Sequence, residues 1–168
     1  MLKISGLFIF IAFFLIGCDE QKVYEKNLSI SNAQWERNEK AIFQFTISDT
    51  TSLYNLYLNF RHAGDYPYNN LYLFTKLRSP EGKVARDTAQ MIFADKKGRW
   101  LGKGIGDIYD YQFKFKEAFM FPRNGEYSVE IEQAMREKTL VNVTDIGIRV
   151  EKIKNKNWAH KRKVIPNL

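Results

Sequence analysis

The chain has one cysteine, Cys18, and only two histidines, His62 and His160. That scarcity excludes a disulfide framework within the chain and any zinc site built from several thiolates and imidazoles. No cysteine nucleophile exists beyond Cys18, and neither H-E-x-x-H nor G-x-S-x-G occurs. No carboxylate pair stands out for glycoside hydrolysis, since Glu130 and Glu132 read as ordinary solvent-face residues of a strand. Catalysis, a metal and a dissociable cofactor are therefore not expected. Long apolar runs are also missing: the longest, Leu7 to Ile16, has ten residues, where a membrane-spanning helix needs roughly 20.

A run of that length suits the apolar region of an export signal. Lys3 supplies the positive start, and Leu15-Ile16-Gly17-Cys18 looks like a bacterial lipobox, a small residue just before a cysteine. In such a motif the thiol receives a diacylglyceryl group, cleavage follows Gly17, and the new amino terminus is N-acylated. An exported chain with one unpaired cysteine otherwise needs an explanation as a reactive thiol or an intermolecular bridge. The expected organisation is a signal over residues 1–17, a polar tether over 18–27, a folded domain over 28–153 and a basic tail over 154–168.

Charge is uneven. The whole chain carries +7, yet Ile4 to Glu151 holds 19 Lys and Arg against 19 Asp and Glu. The excess is Lys3 and a tail from Lys152 with six Lys and Arg and no acid. A neutral body lacks the basic face that nucleic acid requires, so no nucleic-acid partner is expected. The tail is either a solvated terminus or a binder of anionic lipid headgroups or an acidic partner.

Within the domain, apolar residues recur at every second position. The sets are Ala41, Phe43, Phe45 and Ile47; Leu56, Leu58 and Phe60; Leu71, Leu73, Thr75 and Leu77; Tyr111, Phe113 and Phe115; Tyr127, Val129 and Ile131; and Ile146, Ile148 and Val150. Period two means strands with one buried face and one wet face. Turn residues separate them at Ser79-Pro80-Glu81-Gly82, Asp95-Lys96-Lys97-Gly98 and Pro122-Arg123-Asn124-Gly125. The expectation is an all-β fold, an antiparallel β-sandwich of jelly-roll or immunoglobulin-like type with seven or eight strands. Only Glu132 to Leu140 suggests a helix, a short one in a connection.

The most unusual stretch is Asp95 to Asp110, with glycines at 98, 102, 104 and 106. It lacks one residue of the P-loop spacing and has Gly104 where the magnesium-binding hydroxyl belongs, so it is not a phosphate loop. Asp95, Asp107 and Asp110 would supply only part of a calcium shell. Two readings remain: a docking loop in which Arg99, Trp100, Asp107, Tyr109 and Asp110 meet a partner, or a long connection whose Trp100 caps the core. A second aromatic turn, Asp65-Tyr66-Pro67-Tyr68-Asn69-Asn70, either stacks Tyr66 and Tyr68 on sugar rings or seals the end of the sandwich.

The lipobox is followed by Tyr-Pro-Tyr-Asn-Asn-Leu-Tyr-Leu-Phe (66–74), Gly-Arg-Trp-Leu-Gly-Lys-Gly-Ile-Gly-Asp-Ile-Tyr-Asp (98–110), Phe-Pro-Arg-Asn-Gly-Glu-Tyr (121–127), Ile-Glu-Gln-Ala-Met-Arg (131–136) and Asp-Ile-Gly-Ile-Arg-Val-Glu (145–151). This series resembles the GldH family of gliding-motility lipoproteins of Bacteroidetes over nearly the whole domain, the basic tail excepted. The resemblance implies a lipid-anchored component of the cell envelope, expected at the outer membrane with its side open, working beside other gliding and type IX secretion proteins. It implies no enzymatic activity, no cofactor and no catalytic residue. Against this scaffold reading stands a carbohydrate-binding module, with Tyr66, Tyr68, Trp100 and Tyr109 stacking on polysaccharide.

Overall fold

Alternating side chains sort themselves by burying one face of each strand, and two such faces pressed together make a sandwich. The computed structural model describes residues 19–154. In chain order the strands are β1 (Lys22–Ser29), β2 (Gln34–Glu36), β3 (Ala41–Ile47), β4 (Tyr54–Ala63), β5 (Asn70–Arg78), β6 (Val84–Ile92), β7 (Lys103–Ile105), β8 (Ile108–Phe119), β9 (Gly125–Gln133), β10 (Thr139–Val141) and β11 (Val143–Lys152). One sheet has the order β1-β11-β4-β8-β7 and the other β3-β9-β5-β6, while β10 and β2 form a small ribbon. Every ladder is antiparallel. The all-β antiparallel sandwich expected from the alternation is the observed fold.

The expected inward sets line the core. Phe43, Phe45, Ile47, Leu56, Leu58, Phe60, Leu71, Leu73, Val129, Ile131, Ile146 and Ile148 are all buried. From β8 only half-buried rings, Tyr111, Phe113, Phe115 and Phe119, pack against that core. Trp35 of β2, fully buried, pairs with Leu140 of β10 and donates from Nε1 to the Glu39 carbonyl at 2.9 Å. Among the described residues, all strands and the whole core cluster lie between Lys22 and Lys152.

Two expectations are corrected. The sheet begins at Lys22, inside the stretch read as a tether: its polarity belongs to an edge strand that turns only Tyr24 and Leu28 toward the core. No helix forms over Glu132–Leu140, where β9 runs to Gln133 and β10 begins at Thr139. Side chains there take the carbonyls that a helix would have used. Gln133 Nε2 donates to the Glu137 carbonyl at 3.1 Å, and Arg37 donates to the carbonyls of Met135, Arg136 and Glu137. Cys18, the signal and the tail beyond Lys154 lie outside the described residues.

The register gives the sandwich two unlike ends. At the basal end Lys152 faces Tyr54, Tyr54 faces Phe119, and both described termini emerge. At the distal end Ala63 faces Ile108 and Asn70 faces Ile92, and the glycine-rich loop lies there. The ten residues of β4 run between the ends, a span of about 30 Å.

On the outer face of the five-stranded sheet, Asn27, Gly147, Asn59 and Gln112 form one cross-strand row. The Asn27 side chain lies over Gly147, where a Cβ would come within 2.7 Å of the Lys26 carbonyl. Gly147→Ala should therefore cost about 1–3 kcal/mol. Urea denaturation measures this, and an unchanged midpoint would contradict the packing described.

Candidate functional site

The inward phase of β4, set by Leu56, Leu58 and Phe60, reaches the distal end at His62, which is 1% exposed. Its Nδ1 lies 2.8 Å from the Ala63 carbonyl, so that nitrogen carries the proton and donates. Aromatic rings surround it. Trp100 meets it edge-on at 4.6 Å between centroids, Tyr109 stacks at 5.6 Å, and Tyr66 lies at 5.3 Å, with Phe60 and Phe93 both at 5.6 Å. Burial among these rings pushes the His62 imidazole below its usual pKa of 6.5. The cluster is an apolar plug with one neutral imidazole, and nothing in it provides a nucleophile with a base.

The loop between β6 and β7 is bound in place. Asp95 Oδ1 accepts from the backbone N–H groups of Lys97 at 2.8 Å and Arg99 at 3.0 Å, and Oδ2 accepts from Arg99 Nε at 2.8 Å. Those bonds from Arg99 hold the Asp95 carboxyl below its usual range. The turn they close returns the chain so that Trp100 pairs with Ala94 and Leu101 N–H donates to the Phe93 carbonyl at 2.6 Å. β7 then folds onto β8, and Gly104 lets the Tyr109 ring approach: a Cβ there would sit 2.9 Å from Tyr109 Cε1.

The structure thus brings Tyr66, Trp100 and Tyr109 together around His62, and Tyr68 joins through an edge contact to Tyr66 at 5.8 Å. Tyr66 is 3% exposed and offers no face for a sugar ring. Trp100 and Tyr109 are half-buried. Arg99 projects outward beside Asp95. Asp107 is exposed at the turn before β8, its carbonyl accepting from Gly64 N–H at 2.7 Å. Asp110 faces the outer surface, where Arg61 Nε donates to it at 2.5 Å. Asp95 and Asp110 are therefore held by different arginines, and among the described residues no three ligating side chains converge for a metal.

Two features escape the sequence reading. His62 is one; continuing the alternation of β4 by one step would have found it. The other is a trough of about 560 Å³ on the outer face of the five-stranded sheet, lined among others by Asn27, Asn59, Arg61, Lys103, Asp110 and Gln112. Gln112 Nε2 donates to Asn59 Oδ1 at 2.9 Å, and Asn59 Nδ2 to Asn27 Oδ1 at 3.1 Å. Arg61 spans Asp110 and Asp145 beside this amide row. The row has one amide from each of β1, β4 and β8, brought together by register, so no spacing along the chain signals it.

The exposed apolar side chains are distributed unevenly. Of the eight large ones among the described residues, Ile42, Tyr72, Phe74, Ile92, Leu101 and Val141 lie from mid-sheet to the distal end, leaving Val23 and Met120 at the basal end. Ile42, Tyr72, Phe74 and Ile92 share the outer face of the four-stranded sheet, whereas Leu101 lies beside the trough of the other sheet; apolar side chains gathered on one face are the kind that mark contact surfaces.

The family described as GldH lipoprotein matches residues 22–150. The gliding motility lipoprotein GldH homolog of Christiangramia forsetii is 36% identical over 156 residues, 89% of this chain and 95% of that protein. The gliding motility lipoprotein GldH of Flavobacterium johnsoniae is 33% identical over 157 residues, 89% of this chain and 97% of that protein. Among solved structures, the infectious bursal disease virus VP2 subviral particle aligns with 84% of this chain and 35% of its own at 14% identity. Its TM-score of 0.34 carries no argument.

His62 is neutral when buried and binds its proton more weakly than in the unfolded chain. The unfolded state therefore takes up more protons as pH falls below 6.5, and stability drops by up to about 1.4 kcal/mol per pH unit. Urea midpoints between pH 7.5 and 5.5 should fall in the wild type and flatten in His62→Phe; equal slopes would place the effect elsewhere. Trp100→Ala should cost about 2–3 kcal/mol, less than a fully buried indole, and thermal melting reads it.

Proposed function

The chain belongs to the GldH lipoprotein family, and on that footing we propose that it is a lipid-anchored scaffold of the gliding-motility machinery of the cell envelope. Cys18 carries the diacylglyceryl and N-acyl lipid, and the outer membrane holds the anchor. The domain works by presenting surface to other gliding and type IX secretion proteins rather than by catalysis. The observation that supports this best is the concentration of exposed apolar side chains from mid-sheet to the distal end, away from the end that carries the anchor. The His62 cluster makes that end rigid, and Arg99 and Leu101, the latter 53% exposed, project from it. A rigid exposed contact loses little conformational freedom on docking.

The trough supports a second reading, an envelope polysaccharide held by Asn27, Asn59, Gln112 and Arg61. Amide and guanidinium groups in a row suit vicinal hydroxyls. On this reading Trp100 and Tyr109 are part of the wall that stiffens the adjacent loop, and Tyr66 takes no part in stacking. Affinity electrophoresis against a glycan panel decides it: retardation that Asn59→Ala abolishes would favour the sugar, and free migration on all glycans would remove it.

The scaffold is tested by affinity purification of the tagged full chain from the envelope. Cys18→Ala should leave the membrane fraction. Leu101→Asp combined with Phe74→Asp should remain anchored and folded yet recover at least about tenfold less envelope protein, as loss of central apolar contacts predicts. Undiminished recovery would contradict the assignment of the distal surface.

A further inference from the structure

We infer that the open edge of β8, between the end of β7 and the Lys116–Asp87 ion pair, accepts an extended segment of a partner protein in which apolar and acidic residues alternate. The segment adds as a strand antiparallel to β8, in line with β7. This contact needs neither the lipid anchor nor the distal apolar surface.

β8 runs from Ile108 to Phe119, yet β7 covers only Ile108 to Asp110 on that side. The close approach at Gly102 shows which backbone groups face outward there. A Cβ on Gly102 would lie 2.7 Å from the Asp110 carbonyl oxygen, so that carbonyl points at β7. The ladder with β4 is regular from Ile108 to Lys114. Alternate residues of an antiparallel strand turn their N–H and C=O to the same side, so Gln112 and Lys114 repeat the orientation of Asp110. Among the described residues no strand pairs with them on that side. Their N–H and C=O groups continue the pattern that β7 already uses.

This edge also borders incompletely covered core. β8 lies over the β6 side of the other sheet: Tyr111 meets Phe93 at 5.4 Å between ring centroids, and Lys116 Nζ is 3.1 Å from Asp87. Opposite buried Leu73, Thr75 and Leu77 of β5, β6 places Ala89, Asp87 and Ala85 on the inward phase. None of the three is large and apolar, so Tyr111, Phe113 and Phe115 of β8 stay half-buried. The other seam of the sandwich is closed by Tyr24 of β1 against Phe45 of β3 at 5.5 Å. Lys116, opposite buried Leu56, meets Asp87 across the open seam. A charge pair on the inward phase stops further strand pairing and limits the acceptor stretch to Tyr111–Phe115, about 17 Å long.

The surrounding side chains define the occupant. On an added strand, the residue opposite Phe113 turns inward onto the half-buried rings and Ala89, which suits an apolar side chain. Residues opposite Gln112 and Lys114 turn outward beside them. Lys114 is met by Glu117, Lys116 by Asp87, and Asp110 by Arg61. Lys103 at the end of β7 and Arg86 on the neighbouring edge bear no ion pair among the described residues, so the border is basic. Acids at the outward positions complement it, whereas a second copy of the chain would bring the same cations. Main-chain bonds supply the affinity of such strand addition, and the alternate side chains supply its selectivity.

The test uses the full chain in detergent and a capped, labelled peptide of alternating glutamate and valine, followed by fluorescence anisotropy. Saturable binding is expected, with the amide protons of Gln112 and Lys114 exchanging at least about tenfold more slowly and those of β1 unchanged. With valine inward, the glutamate amides face β8. N-methylating them should weaken binding at least about tenfold, and N-methylating the valine amides should not. Lys114→Glu, its fold checked by thermal melting, should weaken binding at least about fivefold. Absent binding, equal binding of the two methylated peptides, or unchanged exchange at Gln112 and Lys114 would overturn the inference. So would a dimer of the chain, seen by sedimentation, that buries this edge without peptide. None of these outcomes touches Cys18, Leu101 or Phe74, so the scaffold reading stands or falls separately.

Discussion

The antiparallel register of β11 between β1 and β4 is the constraint on which the rest depends. It puts Ile146, Ile148 and Val150 on the same inner wall as Leu56, Leu58 and Phe60, so a slip of one residue would expose both sets. It also returns the last strand to the place where the first begins, so both described termini leave from the basal end. Arg149 adds a second lock at that point, reaching Glu25 at 2.7 Å and Glu151 at 2.6 Å as well as Asp19. The polarity proposed for the molecule, one end for attachment and one for contact, rests on this pairing.

How far the sequence discloses the fold depends on how completely a strand buries one face. β3, β4, β5 and β9 alternate cleanly because each buries one whole face. The edge strand β6 does not, since its residues from Ala85 to Thr88 are exposed on both faces. β1 is similar, with two inward residues in eight. The three-residue strands β2, β7 and β10 are too short for any period to be read. Glu132–Leu140 misled for another reason: its apolar spacing fits two helical turns, yet Arg37, nearly a hundred residues away in sequence, supplies the donors for its carbonyls. A long-range side chain of that kind has no local signature.

The candidate site was half legible. Trp100, Tyr109 and Tyr66 stood out by type and converge as a cluster, but as an internal support more than as an exposed face. Of the loop glycines, Gly102 and Gly104 are close-contact positions, Gly104 under the Tyr109 ring, while Gly98 and Gly106 take positive φ in turns. Asp95 and Asp110, weighed as part of a calcium shell, are each paired with a different arginine. What sequence reading cannot supply is which wet side chains meet across strands, and the amide row of Asn27, Asn59 and Gln112 is built wholly from such meetings.

The account's central claim is that the two ends have different neighbours, lipid below and protein above. Photo-crosslinking in living cells addresses it directly, with a photoreactive residue in place of Arg99 at the distal end or of Lys83 at the basal end, both exposed. Protein adducts from position 99 and lipid adducts alone from position 83 are the predicted result. Protein adducts confined to position 83, with none from position 99, would contradict it.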